Sequence, residues 1–476
     1  MCISNRLPVD RVIADDGTAQ WKTSPGGLVT AMEPVMREQG GAWVGWPGVA
    51  DEDVEPFSDG TIDIYPVALS EEEVQDFYEG FSNDTIWPLY HDVIAPPAYH
   101  REWWVAYQRV NQRFAEAAAA ISANGATVWV HDYQLQLVPR ILRSIRPDLT
   151  IGYFNHIPFP AYGIFSQLPW RKQIINGVLG ADVIGFQRPA DAGNFQRSVR
   201  RLLGYETKSA RVLEPQSDGS FRPIVAKSFP ISIDSAGFER LARQPEVQAR
   251  AKEIRSQLGE EKTIILGVDR LDYTKGIRHR LKAYGELLED GRLSVENTTL
   301  VQVASPSRER VETYRQLRDE IELTVGRLNG DFGSIADTAV HYLHHGYPRE
   351  EMAALYLAAD VMLVTALRDG MNLVAKEYAA TRFDRRGVLV LSEFAGASDE
   401  LKQALLINPH DIEGLKDAIV QAVTMPVSEQ EKRMRSLRRR VAEYDVARWS
   451  RSFLNALEES HARRLVAEAA NEGAES

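Results

Sequence analysis

Short apolar, β-branched runs alternate along the chain with longer stretches whose apolar residues recur at helical spacing. Strands apolar on both faces, each followed by a helical segment, are the pattern of parallel βαβ units. The pattern predicts strands over 126–130, 149–154 and 182–186 in the first half, and over 263–268, 299–304, 361–366 and 388–391 in the second. The expected class is α/β. At 476 residues the chain exceeds what one core usually supports, so two domains are expected, with the active site in a cleft between them. The extended, proline-marked segment Ser228-Phe229-Pro230-Ile231-Ser232-Ile233-Asp234 separates the halves. We expect an N-terminal domain over 1–233 and a C-terminal domain over 234–445. A helix over 446–463, with an apolar stripe of Trp449, Phe453, Leu454 and Leu457, is expected to cross back to the first domain. The Ala- and Glu-rich stretch 464–476 has few apolar residues to pin it and is expected to be a disordered tail.

Ligands of open α/β sheets bind beyond the carboxyl ends of the strands, and in this chain those places are polar. Val128-Trp129-Val130 runs into His131-Asp132-Tyr133, and Gly152-Tyr153-Phe154 runs into Asn155-His156-Ile157-Pro158. Ile265-Leu266-Gly267-Val268 leads into Asp269-Arg270-Leu271-Asp272-Tyr273-Thr274-Lys275-Gly276, two cations five residues apart in a loop before a helix. Such a loop suits a diphosphate, because arginine forks onto phosphate oxygens, lysine adds a compact charge, and a helix start adds backbone donors. Its bland alternative is a solvated surface loop. In Leu367-Arg368-Asp369-Gly370-Met371-Asn372, followed by a helix carrying Glu377, the two carboxylates suit sugar hydroxyls. A helix cap and an ordinary surface charge are the alternatives there. Gly26 and Gly27 would let backbone amides approach an anion, although a glycine pair usually marks a turn. Arg6 and Arg308 are further cations, and Tyr78, Trp87 and Trp103-Trp104 lie in an aromatic-rich region where core packing competes with bordering a sugar.

Composition narrows the partners. Lys plus Arg is 55 against 67 for Asp plus Glu, a net charge of -12. That surface repels nucleic acid, so a phosphate ligand needs a local basic pocket. One cysteine, Cys2, leaves no intramolecular disulfide, the first residues do not resemble a signal peptide, and no window holds eighteen uninterrupted apolar residues. A cytoplasmic chain without nucleic-acid or membrane partners is expected. Metal-ligand spacing of Cys and His, a nucleophile elbow and a P-loop are all missing from the sequence.

Together, SNRLPV at 4–9, SPGGL at 24–28, YEGFSN at 78–83, HDYQL at 131–135, HIPFP at 156–160, VDRLDYTKG at 268–276 and LRDGMNLVAKEY at 367–378 resemble the trehalose-6-phosphate synthases over roughly residues 3–460. The resemblance implies the glycosyltransferase B fold, two Rossmann-like domains facing a cleft. It implies transfer of glucose with retention from a nucleotide-glucose donor, UDP- or ADP-glucose, to glucose 6-phosphate, forming α,α-1,1-linked trehalose 6-phosphate in trehalose biosynthesis. Carried over residue by residue, Arg6, Tyr78, Trp87, Asp132 and Arg308 would hold the acceptor. Gly26, Gly27, His156, Arg270, Lys275, Tyr347, Asp369, Leu373, Val374, Ala375, Lys376 and Glu377 would hold the donor. Asp132, His156, Arg270, Lys275 and Asp369 would carry catalysis, with no cofactor and no metal, the two cations standing where other transferases use a metal. A homo-oligomer, dimer or tetramer, is implied as well. Gln134, Asn155 and Ser232 stand where the family more often has His, Leu and Gly, and only Met1-Cys2-Ile3 precede Ser4, where the family has a longer apolar strand. Two alternatives stay open: a related synthase with another phosphorylated acceptor, such as a glucosylglycerol-phosphate synthase, and a catalytically silent regulatory homologue.

Overall fold

The computed structural model describes residues 1–13, 19–24, 29, 32, 36 and 40–475. The chain divides into two compact units, Met1–Ile231 with Ala447–Ser476, and Ser232–Val446.

The first unit holds β1 (Cys2–Arg6), β2 (Val9–Ile13), β3 (Ala19–Thr23), β4 (Gly41–Trp46), β5 (Phe57–Asp59), β6 (Ile62–Pro66), β7 (Thr127–His131), β8 (Thr150–Asn155), β9 (Val183–Phe186), β10 (Glu206–Lys208), β11 (Arg211–Pro215) and β12 (Phe221–Ser228). Ten of them form one sheet, in the order β10-β11-β12-β9-β8-β7-β1-β4-β6-β5, and β2 pairs with β3 as a hairpin. Pairing is parallel from β12 through β6 and antiparallel only at the two edges. Every residue of β8 is buried, as expected of a strand covered on both faces. The chain winds outward from β1 in both directions, through β4 on one side and β7 on the other. The carboxyl ends of β1 and β7 therefore flank a topological switch point, the place where such sheets bind ligands.

The helix Val446–Glu475 packs on this sheet. Phe453 is fully buried and stacks on Trp129 with ring centroids 4.4 Å apart, and Trp449 Nε1 donates to Phe229 O at 3.2 Å. Burying a Phe side chain contributes roughly 1.5–3 kcal/mol. The helix extends to Glu475. The Arg464 guanidinium donates to the backbone oxygens of Leu149 and Asp148, both at 3.0 Å.

The second unit holds β13 (Thr263–Arg270), β14 (Thr298–Ser305), β15 (Val340–Leu343), β16 (Val361–Val364), β17 (Val388–Ser392) and β18 (Leu405–Ile407). They form a sheet in the order β15-β14-β13-β16-β17-β18, parallel throughout. This is the Rossmann strand order, with its switch point between β13 and β16.

Candidate active site

In the first unit the functional side chains sit where strands end. Arg6 closes β1, and its Nη2 meets Asp10 Oδ1 at 2.8 Å while its guanidinium lies 5.1 Å from the Trp46 ring. Beside it lies Gly48, whose φ of +89° favours glycine; a methyl group there would displace the end of the Arg6 side chain. Trp46 in turn packs against Tyr78, centroids 5.8 Å apart. Tyr78 lies on a π-helix, Val74–Ile86, a rare form that recurs at functional sites. Ahead of it, Ser70 and Glu73 form a capping box. Burial alone would raise the Glu73 carboxyl, but hydrogen bonds from Arg113 and Arg109 hold it down to about 2. Trp87 begins the turn after this helix, buried beside His91 and Tyr133. Trp104 is core, stacked on Trp170.

Asp132 follows β7 with φ +74° and ψ 173°, a conformation that costs a non-glycine residue roughly 1–3 kcal/mol and collects at functional sites. Its Oδ1 accepts the His156 backbone N–H at 3.1 Å, which ties the end of β7 to the end of β8. His156 Nε2 lies 3.0 Å from Nδ1 of His131, which is fully buried. Burial pushes His156 down to about 3, and burial followed by the neighbouring His156 pushes His131 well below the ordinary histidine value.

Both rings are therefore neutral when folded, whereas in an unfolded chain they charge below about pH 6.5. Protonation then favours the unfolded chain: the stabilisation is complete above about pH 6.5 and is lost progressively as pH falls from there toward 3. The expected slope reaches about 1.4 kcal/mol per pH unit per histidine. Urea denaturation at pH 7.5, 6 and 5 reads it, and a His131→Asn protein should show a flatter dependence over that range.

In the second unit the loop after β13 meets the loop after β16 at the switch point. A short 3₁₀ turn, Tyr273–Lys275, ends at Gly276, which has φ +67°; a methyl group there would lie 2.1 Å from Thr365 O. The tight approach brings Lys275 Nζ to 2.6 Å from Asp369 Oδ2, both side chains mostly buried. Asn372, itself at φ +76°, caps the next helix, Leu373–Thr381, through a bond to the Ala375 N–H, and its Nδ2 donates to Asp369 Oδ2 at 3.2 Å. The cap role weighed for Asp369 thus belongs to Asn372. The first-turn amides of Leu373 and Val374 are among the donors that every helix start leaves unmatched within the helix. Arg270 is exposed at the end of β13. On the same helix Glu377 accepts the Tyr356 hydroxyl at 2.8 Å, and burial raises its carboxyl. Tyr347 stands 4.3 Å from the His345 ring.

Some expected site residues are placed otherwise. The Arg308 side chain is 4% exposed, and its Nη1 bonds Asp272 Oδ2 at 3.2 Å and the Tyr314 hydroxyl within the second unit. Burial would raise the Asp272 carboxyl, but Arg308, Lys275 and Arg270 hold it down to about 2. The Lys376 side chain is buried in an ion pair with Glu400, 2.5 Å, which leaves only its backbone for a ligand. Gly26 and Gly27 lie outside the described residues. Asn155 replaces an apolar residue without penalty, since it accepts the Tyr153 hydroxyl and donates to Ile157 O. Among the described residues no three His, Cys, Asp or Glu side chains are grouped to hold a metal ion, and no helix is long and apolar enough to cross a membrane.

His131, Gln187, Trp46 and Asn372, not among the residues expected to hold substrate, lie against residues that were: His156 for the first two, Arg6 and Asp369 for the others. The signal for His131 and Gln187 was available, because both close or follow parallel strands, at the same rim as Asp132 and His156.

Comparison with known proteins accords with this geometry. The profile of glycosyltransferase family 20 matches residues 1–459. The trehalose-6-phosphate synthase of Mycobacterium avium (strain 104) is 56% identical over 469 residues, covering 97% of this chain and 95% of the relative. Among solved structures, the α,α-trehalose-phosphate synthase (UDP-forming) of Burkholderia xenovorans in complex with glucose-6-phosphate superposes with a TM-score of 0.88 at 32% identity, over 96% of this chain and 99% of that one. The E. coli enzyme bound with UDP-2-fluoro glucose gives 0.86 at 30%, over 96% and 99%. The two Rossmann-like units are those of the glycosyltransferase B class expected from the sequence. Its family match, its relatives and its neighbours agree: this chain belongs to glycosyltransferase family 20, as a glycosyltransferase of the trehalose-6-phosphate synthase kind.

Proposed function

We propose that the chain transfers glucose from UDP-glucose to glucose 6-phosphate with retention, forming α,α-trehalose 6-phosphate and UDP. The observation that carries this reading is the Lys275–Asp369 pair at the second unit's switch point, its lysine in the loop that begins at Arg270. It supplies cations for a diphosphate and a carboxylate for sugar hydroxyls in a chain like one solved with glucose-6-phosphate and another solved with UDP-2-fluoro glucose.

The bond between the donor's anomeric carbon and its diphosphate oxygen breaks, and negative charge grows on the diphosphate. Arg270 and Lys275 stabilise that charge in place, at no reorganisation cost during the step. The acceptor's anomeric hydroxyl attacks on the same face, and its proton passes to the departing diphosphate oxygen. No protein nucleophile enters; the residues position the two sugars. Asp369 and His156 hold the transferred glucose, Glu377 the ribose, Tyr347 the edge of the base, and the start of the helix Leu373–Thr381 adds backbone donors. Arg6, Tyr78, Trp87 and Asp132 hold the acceptor. Arg308, paired with Asp272 through Nη1, is the second cation for its phosphate. The family resemblance carries with it a cytoplasmic dimer or tetramer.

Nucleotide release from UDP-, ADP- and GDP-glucose, each with and without glucose 6-phosphate, tests the reading when combined with mass detection of a phosphorylated disaccharide. The expected result is acceptor-dependent release, fastest from UDP-glucose. A faster ADP-glucose reaction would correct the donor alone, release only with another phosphorylated acceptor would point to a sister synthase, and binding without release to a regulatory homologue.

A further inference from the structure

At the ends of the adjacent parallel strands β7, β8 and β9, three side chains of one unit form a hydrogen-bond chain. His131 Nδ1 is 3.0 Å from His156 Nε2, and His156 Nδ1 is 3.5 Å from Gln187 Nε2. The sense of the chain is set at its far end. Gln187, itself buried, accepts the Ile231 backbone N–H through Oε1 at 2.9 Å. An amide NH₂ could not occupy that place, because both groups would be donors. With its oxygen so engaged, Gln187 turns its NH₂ toward His156, and a neutral imidazole can meet an NH₂ only with a lone pair. Nδ1 of His156 therefore carries no hydrogen, Nε2 carries it, and His131 Nδ1 accepts it.

We propose that Gln187 and His131 are positioning residues that hold His156 in the Nε2–H tautomer, so that its Nδ1 accepts a hydrogen bond from a hydroxyl of the transferred sugar; the sugar contact rests on the function proposed above. The geometry favours an incoming hydroxyl at that nitrogen. The 3.5 Å contact from Gln187 is long for a hydrogen bond and leaves the lone pair weakly engaged, whereas the 3.0 Å contact to His131 is of ordinary length. Burial keeps both rings neutral, so the tautomer and not the charge is what the neighbours control. A sugar hydroxyl that donates to Nδ1 keeps its own oxygen lone pairs for other donors, a polarity that the opposite tautomer would reverse.

The tautomer can be read without any substrate, in ¹⁵N-histidine-labelled protein near neutral pH, with the His156 ring signals assigned by their loss in His156→Gln. The expected wild-type pattern is Nε2–H. Gln187→Glu keeps an acceptor for Ile231 N–H but presents a second oxygen to His156, and should convert the ring to an Nδ1–H or doubly protonated pattern. With that change kcat should fall about tenfold or more, with KM for glucose 6-phosphate within about twofold. His131→Asn, whose side-chain oxygen can stand in for the Nδ1 acceptor, should keep kcat within about threefold of wild type, while His131→Phe should not. An Nδ1–H pattern in the wild-type protein overturns the proposal. So does full kcat in a Gln187→Glu protein whose ring has changed tautomer. Because the spectrum needs neither substrate, a wrong acceptor assignment would leave the tautomer result standing.

Discussion

Arg270→Ala and Lys275→Ala are each expected to lower turnover by about a hundredfold or more, the usual effect of removing one donor to a charge that develops in the transition state. The two should differ in everything else. Arg270 is exposed at the end of its strand, so its loss should leave the urea midpoint close to wild type. Lys275 is 11% exposed and its partner Asp369 14%, so alanine there removes the ammonium from a mostly buried carboxylate that the Asn372 amide also bonds. That variant should lose stability as well, by about 1–3 kcal/mol. Lys275→Ala together with Asp369→Asn should recover most of the stability and none of the turnover, which separates the electrostatic role in the reaction from the structural one. Near-normal turnover in both purified, folded single variants would sink the diphosphate assignment.

The loop Arg270–Lys275 could be recognised in the sequence because its meaning is local: an apolar strand, two cations and a glycine before a helix. The same holds for strands such as Thr263–Arg270 and Val388–Ser392, whose apolar runs are buried on both faces. The strands passed over break that pattern. Gly41–Trp46 is glycine- and tryptophan-rich, Val340–Leu343 carries His and Tyr, and Cys2–Arg6 ends in polar residues read as a motif. Each is nonetheless a parallel strand held by its neighbours. The antiparallel edge of β10, β11 and β12 includes the wholly polar Glu206-Thr207-Lys208 and the proline-bearing Arg211–Pro215 and Phe221–Ser228, and lies outside a βαβ reading altogether.

Partnership was the least legible property. Nothing in the sequence says that Lys376 closes on Glu400 or that Arg308 closes on Asp272, since the partners are 24 and 36 residues away. A cation in a motif reads as available until its partner is seen. The same blindness hid Gln187, whose importance lies in which of its two amide atoms faces Ile231 and which faces His156.

Asp269→Ala is expected to destabilise the second unit by about 3–5 kcal/mol, as breaking a buried ion pair from one side generally does. Asp269 and Arg280 pair at 2.8 Å with side-chain exposures of 3% and 0%. Burial raises the Asp269 carboxyl, and Arg280 and then Lys275 oppose that. Arg280 also donates to Gln302 Oε1 at 2.6 Å and to Thr365 Oγ1 at 3.0 Å, linking β13, β14 and the loop after β16. Removing Asp269 leaves the guanidinium with two neutral acceptors and no counter-charge. Converting the pair together, as Asp269→Leu with Arg280→Met, should destabilise less than the single change, because the stranded charge disappears and only neutral groups lose partners. Urea denaturation of the three proteins reads the ordering, and a single variant within about 1 kcal/mol of wild type would refute it. Thr365 O lies against Gly276, so a shift of this network moves the turn that carries Lys275. Asp269→Ala protein that still folds should therefore show a raised KM for the nucleotide sugar although Asp269 is 7% exposed and touches no part of it in the proposed reading.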